Sequence, residues 1–224
     1  MIRTETLSIP SPILLRPDVT RDARGFFAET LRADVLTQAG IDEDFVQDSQ
    51  SRSLRNTIRG LHFQEGLGQA KLVRVAHGAI LDVAVDIRPA SATFGRHVSM
   101  RLDDDELYAL YIPRGFAHGF CVLSDTADIL YRVSPYYDPA LERGIAWDDP
   151  ALGIDWPTQA PLVSPRDSRH PPLSELNLTQ PAGCRLLRAG GYRRGASAGI
   201  PPSGAADMRC PSVARAGEQA EGST

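Results

Sequence analysis

The segment Arg59-Gly60-Leu61-His62-Phe63-Gln64, followed by Lys71-Leu72-Val73-Arg74, sets an imidazole between cations in a stretch that otherwise reads as β-structure. Such a segment can hold an anionic substrate and supply a base that titrates near neutral pH. A lone histidine on an apolar strand is more often a hydrogen-bonded core residue than a catalyst, so its company matters. Asp167, in Ser164-Pro165-Arg166-Asp167-Ser168, is a carboxylate that a returning segment could bring to orient the ring, although turn or cap aspartates look the same. Tyr131, on the run Ile129–Val133, offers a hydroxyl as an acid; its plainer role is a core packer with a satisfied hydroxyl. Lys71 and Arg59 can stabilise an oxyanion, or can be solvated surface cations.

Other chemistries fit less well. Pro113-Arg114-Gly115-Phe116-Ala117-His118 is similar to the second half of the metal-binding cupin signature. The first half needs His-x-His and a glutamate, and His62-Phe63-Gln64 supplies one imidazole, so no metal is expected. There is no G-x-S-x-G nucleophile elbow and no glycine-rich phosphate loop, which lowers the weight of serine-hydrolase, nicotinamide and nucleoside-triphosphate chemistry. A net charge of −4 without a basic stripe argues against nucleic acid. No apolar run reaches the ~20 residues of a membrane span, and Met1-Ile2-Arg3-Thr4-Glu5 lacks the layout of a secretory signal. Cys121, Cys184 and Cys210 form no C-x-x-C pair and read as reduced thiols. A cytoplasmic address is expected.

The elements that must position these groups are short strands. Leu81, Val83, Val85 and Ile87 alternate with Asp82, Ala84, Asp86 and Arg88, the period of a half-buried strand. Further strands are expected at His97–Leu102, Tyr108–Ile112, Phe116–Leu123 and Ile129–Val133, separated by Arg88-Pro89, Phe94-Gly95, Asp103-Asp104-Asp105 and Pro113-Arg114-Gly115. Many short strands at regular spacing mean an all-β sandwich or barrel. One short helix is expected over Leu31–Ala39, ended by Gly40 in a left-handed cap. From Asn177 the chain is rich in Gly, Pro and scattered Arg without apolar period; residues 1–176 are expected to form the domain and 177–224 a disordered tail.

The chain resembles the dTDP-4-dehydrorhamnose 3,5-epimerases from about Asp22 to Leu176. The resemblance rests on Asp22-Ala23-Arg24-Gly25-Phe26-Phe27-Ala28-Glu29, Phe45-Val46-Gln47-Asp48, the Arg59–Gln64 and Lys71–Val75 segments, Asp82–Arg88, Pro113–Phe120, Tyr131, Tyr136-Tyr137, Glu142 and Trp147–Pro150. It implies a jelly-roll (cupin-like) β-sandwich acting without a cofactor on a dTDP-sugar. It assigns His62 as general base paired with Asp167, Tyr131 as the acid on the opposite face of the sugar, and Lys71 near the C4 carbonyl. His118 would lie close to the sugar. Arg24, Glu29, Gln47, Asp48, Arg59, Glu142 and Arg166 would line the nucleotide and pyrophosphate site, with Tyr137 stacked on thymine. The Asp22–Glu29 segment would reach a neighbouring subunit's site, implying a homodimer. Ser49 stands where the family usually has Asn, which removes an amide from the nucleotide site. Asn56 stands where a Gly is common; Asn tolerates the left-handed backbone that such a turn needs.

On this reading a C4 ketone acidifies the hydrogens at C3 and C5, the base removes one, and the proton returns from the other face. The expected reaction converts dTDP-4-dehydro-6-deoxy-D-glucose to dTDP-4-dehydro-β-L-rhamnose. The alternatives are a relative that inverts C3 or C5 alone, and a non-catalytic jelly-roll sugar-binding module.

Overall fold

The computed structural model describes residues 1–178, and residues 179–224 lie outside what is described. Strands β1 (Ile2–Thr6), β2 (Ile13–Pro17), β5 (Gln47–Leu54), β7 (Ala70–His77), β10 (Ala109–Ile112) and β12 (Thr126–Ser134) form one sheet in the order β1-β2-β10-β7-β12-β5. The second sheet has the order β13-β6-β11-β8-β9, from β13 (Glu142–Gly144), β6 (Thr57–Gln64), β11 (Phe116–Val122), β8 (Ala79–Asp86) and β9 (His97–Asp103), and β14 (Leu162–Val163) adds to β6. A separate hairpin joins β3 (Val19–Asp22) to β4 (Gly25–Ala28). Pairing is antiparallel except between β14 and β6.

The chain repeatedly passes from one sheet to the other, as in the expected jelly roll. Between β5 and β6 the crossing falls at Asn56, whose φ is +64°, so asparagine does adopt the left-handed backbone. Between β7 and β8 it falls at Gly78 (φ +81°), where a Cβ would lie 2.2 Å from the Thr126 carbonyl oxygen. Only glycine fits that corner.

Helix α1 (Ala33–Gln38) is shorter than the expected Leu31–Ala39. It ends as anticipated at Gly40 (φ +78°), with the Gly40 N–H donating to Thr37 O and the Ile41 N–H to Leu36 O. That is a Schellman closure, and Leu36 and Ile41 make its apolar contact inside the core.

Apolar residues form three layers. Between the sheets lie Leu14, Val73, Val75, Leu110 and Ile129 from one and Ile80, Leu102, Phe120 and Val122 from the other. Full burial of each such side chain contributes roughly 1.5–3 kcal/mol, which holds the sheets at a fixed separation. α1 and the turn that follows it cover the outer face of the first sheet through Leu36 and Ile41. The segment carrying Ile145, Leu152, Trp156 and Leu173 covers the outer face of the second. The double cover corrects one expectation: β8 is buried on both faces, and its polar positions Asp82 and Asp86 are 0% exposed. Asp86 accepts a two-point bond from Arg88 (2.8 and 2.6 Å) and hydroxyl bonds from Ser91 and Thr93, closing the loop after β8. Of the stretch 177–224, Leu178 still packs with Leu176 against the second sheet's outer layer, so the folded unit runs at least that far. The expected disorder of the remainder falls outside the described residues.

Candidate active site

A cavity of about 330 Å³ opens between the sheets at one end of the sandwich. Ten of the candidate residues line it: Gln47, Ser49, Arg59, His62, Lys71, His118, Tyr131, Tyr137, Glu142 and Arg166. Strand alternation explains the selection. Along β5, Gln47 and Ser49 face the cavity, while Asp48 falls on the opposite side, beside Leu72 and Arg74, and pairs there with Arg132 at 3.3 Å. Arg24 and Glu29 also lie outside the cavity, Arg24 exposed on the β3–β4 hairpin and bound to Asp22, Glu29 beside Arg32.

His62, on β6, bonds through Nε2 to Asp167 Oδ1 at 2.9 Å. Asp167 opens a short 3-10 turn (Asp167–Arg169), is 3% exposed, and also accepts the Gly60 N–H at 3.2 Å. Burial opposes its charge, but the imidazole contact and the Gly60 N–H outweigh burial and hold its carboxyl well below the usual range. A carboxylate can only accept, so Nε2 must carry the ring proton. Nδ1 is thereby left with the lone pair. Arg166 Nη2, 3.4 Å from the same Nε2, cannot donate to it while that proton is in place.

Lys71, on β7, is partly enclosed, with Nζ 3.5 Å from the His62 carbonyl oxygen. Desolvation pulls its ammonium down to about 8, against the attraction of Glu142 and Asp82. His118, the cross-strand partner of His62 on β11, donates from Nε2 to Asp82 Oδ1 at 2.7 Å. Burial lowers its pKa further than Asp82 restores it, with Lys71 and His62 adding to the fall, so the imidazole stays neutral near pH 7. Tyr131, on β12, has its hydroxyl against the Ser51 hydroxyl, and burial raises its pKa while Ser51 and Arg59 pull it down. At the mouth, the Tyr137 hydroxyl donates to Glu142 at 2.7 Å, Arg166 pairs with the same carboxylate, and the Tyr137 N–H donates to Gln47 Oε1 at 2.9 Å.

Three features escaped the sequence reading. Asp82 sits in a strand whose alternation suggested a solvent-facing carboxylate. Ser51 and Ser53, which bond Tyr131 and Arg59, lie on a strand without apolar alternation. His170, beside the His62–Asp167 pair, follows Asp167 by three residues, a spacing that a short turn brings to one side. His62, Asp167 and His170 place three potential metal-ligand atoms within 4.8 Å of one another.

The site as a whole has a base on the second sheet, a phenol on the first, a lysine of reduced pKa, and arginines at the rim. It can remove a proton next to a carbonyl, stabilise the resulting oxyanion and return a proton from another direction.

Comparison with known proteins agrees. Residues 6–175 match the family model described as dTDP-4-dehydrorhamnose 3,5-epimerase. The enzyme of that name from Escherichia coli is 48% identical over 179 residues, covering 79% of this chain and 95% of its own. The chain spans about half (49%) of the Neisseria gonorrhoeae protein of that name, at 48% identity over 161 residues and 71% of this chain. A Legionella pneumophila dTDP-6-deoxy-D-glucose-3,5-epimerase solved in complex with dTDP-4-keto-L-rhamnose superposes with a TM-score of 0.78 at 39% identity, covering 80% of this chain and 98% of that one.

Proposed function

The chain belongs to the dTDP-4-dehydrorhamnose 3,5-epimerase family, and from that premise we propose the residues and steps by which it works. It is an isomerase. Its reaction is inversion at C3 and C5 of dTDP-4-dehydro-6-deoxy-D-glucose, giving dTDP-4-dehydro-β-L-rhamnose.

One observation carries the assignment: His62 and Tyr131 stand on strands of opposite sheets and line the same cavity. A sugar ring lying between them meets a base on one side and an acid on the other, which inversion requires. His62 Nδ1 takes the proton from the carbon beside the C4 ketone, and Asp167 stabilises the imidazolium that forms. The electron pair moves onto the C4 oxygen, where the Lys71 ammonium neutralises it. Tyr131 then gives its phenolic proton to the carbon from the far side. Repeating the sequence at the second carbon needs both groups reset by solvent. Arg59, Gln47, Ser49, Glu142, Arg166 and Tyr137 hold the nucleotide, whose binding energy fixes the ring's orientation. Ser49 offers a hydroxyl alone at its position.

Incubation with dTDP-4-dehydro-6-deoxyglucose in deuterium oxide, followed by NMR, tests this directly. Label at C3 and C5 with an L-configured product is expected. Label at one carbon would make the chain a single-carbon epimerase, and no label would overturn the enzymatic assignment. Tyr131→Phe is expected to slow inversion by about 10²-fold while deuterium exchange falls less, because the phenol acts after proton removal. Equal losses in both would remove Tyr131 from the role of acid.

The same reading makes the protein a homodimer. The β3–β4 hairpin presents Phe26 and Phe27, 54% and 75% exposed, together with Arg24, and a second copy would cover the two rings and receive the arginine at its own site. Among the described residues no helix is long and apolar enough to cross a membrane, and the dTDP-sugar substrate, a soluble nucleotide, suits a cytoplasmic enzyme. Residues beyond Leu178 lie outside the matched family region and carry no assigned site residue. A chain ending at Leu178 is expected to keep its turnover within about twofold and its melting temperature within a few degrees.

A further inference from the structure

We propose that His62, Asp167 and His170 form a binding site for a divalent transition-metal ion of the zinc type, and that the ion, once bound, shuts off the base. The site begins with an absent side chain. Gly144 on β13 is the cross-strand partner of His62, and a Cβ there would lie 2.3 Å from the His170 ring. The space that a side chain would occupy beside His62 holds the His170 imidazole instead. Its ring stands edge-on to that of His62, with centroids 5.7 Å apart at 81°.

His170 Nε2 lies 3.6 Å from Asp167 Oδ1 and has no hydrogen-bond partner, although that atom is buried. His62 Nε2 is 2.9 Å from the same oxygen. Two donors each 2.0–2.1 Å from a tetrahedral zinc ion are separated by roughly 3.3 Å. Both nitrogen–oxygen separations are within about half an ångström of that value, and the two imidazole donors, within 4.8 Å of each other, must rotate toward one another to reach it. Two imidazoles and a carboxylate are a donor set suited to zinc, cobalt or nickel, and a water can complete the tetrahedron.

One group opposes the ion. Arg166 places Nη2 3.4 Å from His62 Nε2 and Nε 3.5 Å from Asp167 Oδ1. Its side chain is half exposed and can withdraw, at a cost to affinity. Affinity in the micromolar range is therefore expected rather than that of a structural zinc site.

Occupancy has a defined chemical consequence. A neutral imidazole carries one N–H. With the metal on Nε2, the proton that faced Asp167 must move to Nδ1, and the lone pair that accepts the substrate proton is gone. No co-reactant is consumed, and removal of the ion restores the base. The binding claim stands without the epimerase reading, while the inhibition claim rests on it, so the two fail separately.

The test uses the full chain, titrated calorimetrically with zinc chloride and, in parallel, with cobalt(II) followed by its visible absorption. One ion per chain and the intense visible bands of tetrahedral cobalt are expected. His170→Gln should weaken zinc binding by about 30-fold or more and lose the cobalt bands, the effect of removing a metal ligand, yet leave metal-free turnover within a few-fold. Arg166→Gln, which removes an opposing charge, should tighten zinc binding by about tenfold. Because Arg166 is exposed, that variant also serves if His170→Gln folds poorly. Zinc affinity unchanged in both variants, or no binding by the wild-type chain at millimolar zinc, overturns the site. Binding that leaves turnover untouched would overturn the inhibition claim.

Discussion

Replacing His62 with alanine is expected to lower turnover by about 10³-fold and to abolish deuterium incorporation at both C3 and C5, because among the described residues the cavity's other imidazole, His118, is committed to Asp82. The size of the loss follows from what the site supplies. Asp167 is held ionised by the imidazole and the Gly60 N–H, so the pair is built around a ring whose Nε2 is committed to the carboxylate. Alanine leaves that buried carboxylate with the Gly60 N–H and the nearby Arg166, and removes the acceptor outright. His118 cannot take over: its Nε2 donates to Asp82, and burial depresses its basicity. Retention of near-wild-type exchange in His62→Ala would show that the base is another residue. Binding of dTDP to the variant, measured by calorimetry, should change by less than about threefold, which separates loss of chemistry from loss of fold.

Lys71→Met carries two effects of opposite sign. Turnover should fall by about 10²- to 10³-fold, the usual consequence of removing one donor from a developing oxyanion. Stability at pH 7 should rise. The Lys71 ammonium titrates near 8 in the folded chain, against an ordinary value of 10.5, because desolvation penalises its charge. Between those values the unfolded chain binds more protons than the folded one, so wild-type stability increases as pH rises from about 8 to 10.5, and the full cost of the buried charge is present below 8. Methionine keeps the stem and removes that cost. With the site open on one side, the gain is about 1.5 kcal/mol, or roughly 4 °C in Tm. The same titration predicts that kcat/KM of the wild type declines as pH rises through about 8, as the free enzyme loses its oxyanion partner. A variant both slower and less stable would mean that the lysine is structural.

The sequence revealed most where side chains alternate. The strands at His97–Leu102, Phe116–Leu123 and Ile129–Val133 appear within a few residues of their expected limits: β9 prints the period of a one-sided core, while β11, buried throughout, is delimited by the turn signals that flank it. The same rule misled at Leu81–Arg88. Period two marks which residues share a face but not whether the other face meets water, and here Leu81, Val83, Val85 and Ile87 lie under the segment through Trp156 and Leu173 while Asp82 and Asp86 share the inter-sheet face with Ile80 and Ala84. Asp82 thus looked solvated and is instead the partner of His118. β5, with the run Gln47-Asp48-Ser49-Gln50-Ser51-Arg52-Ser53, shows no apolar alternation, since one of its faces lines the cavity and much of the other is exposed. Its contribution was legible only through the resemblance. The His62–Asp167 contact joins residues 105 positions apart, a closeness created by the late segment that returns along β6 through β14 rather than by any local pattern. His170 was invisible for a related reason. Its significance depends on a side chain that Gly144 lacks.

With the proposed base His62 and acid Tyr131 on opposing sheets, stereochemistry becomes a matter of thickness. The gap that a sugar ring must bridge is set by Val73, Ile129, Ile80 and Val122, none of which lines the cavity. A methylene removed from that layer leaves every functional group intact, yet changes how far the phenol stands from a carbanion poised at His62. Fidelity of inversion, as distinct from speed, is therefore a property of the hydrophobic interior, and substitutions there should surface as misdirected protons before they surface as unfolding.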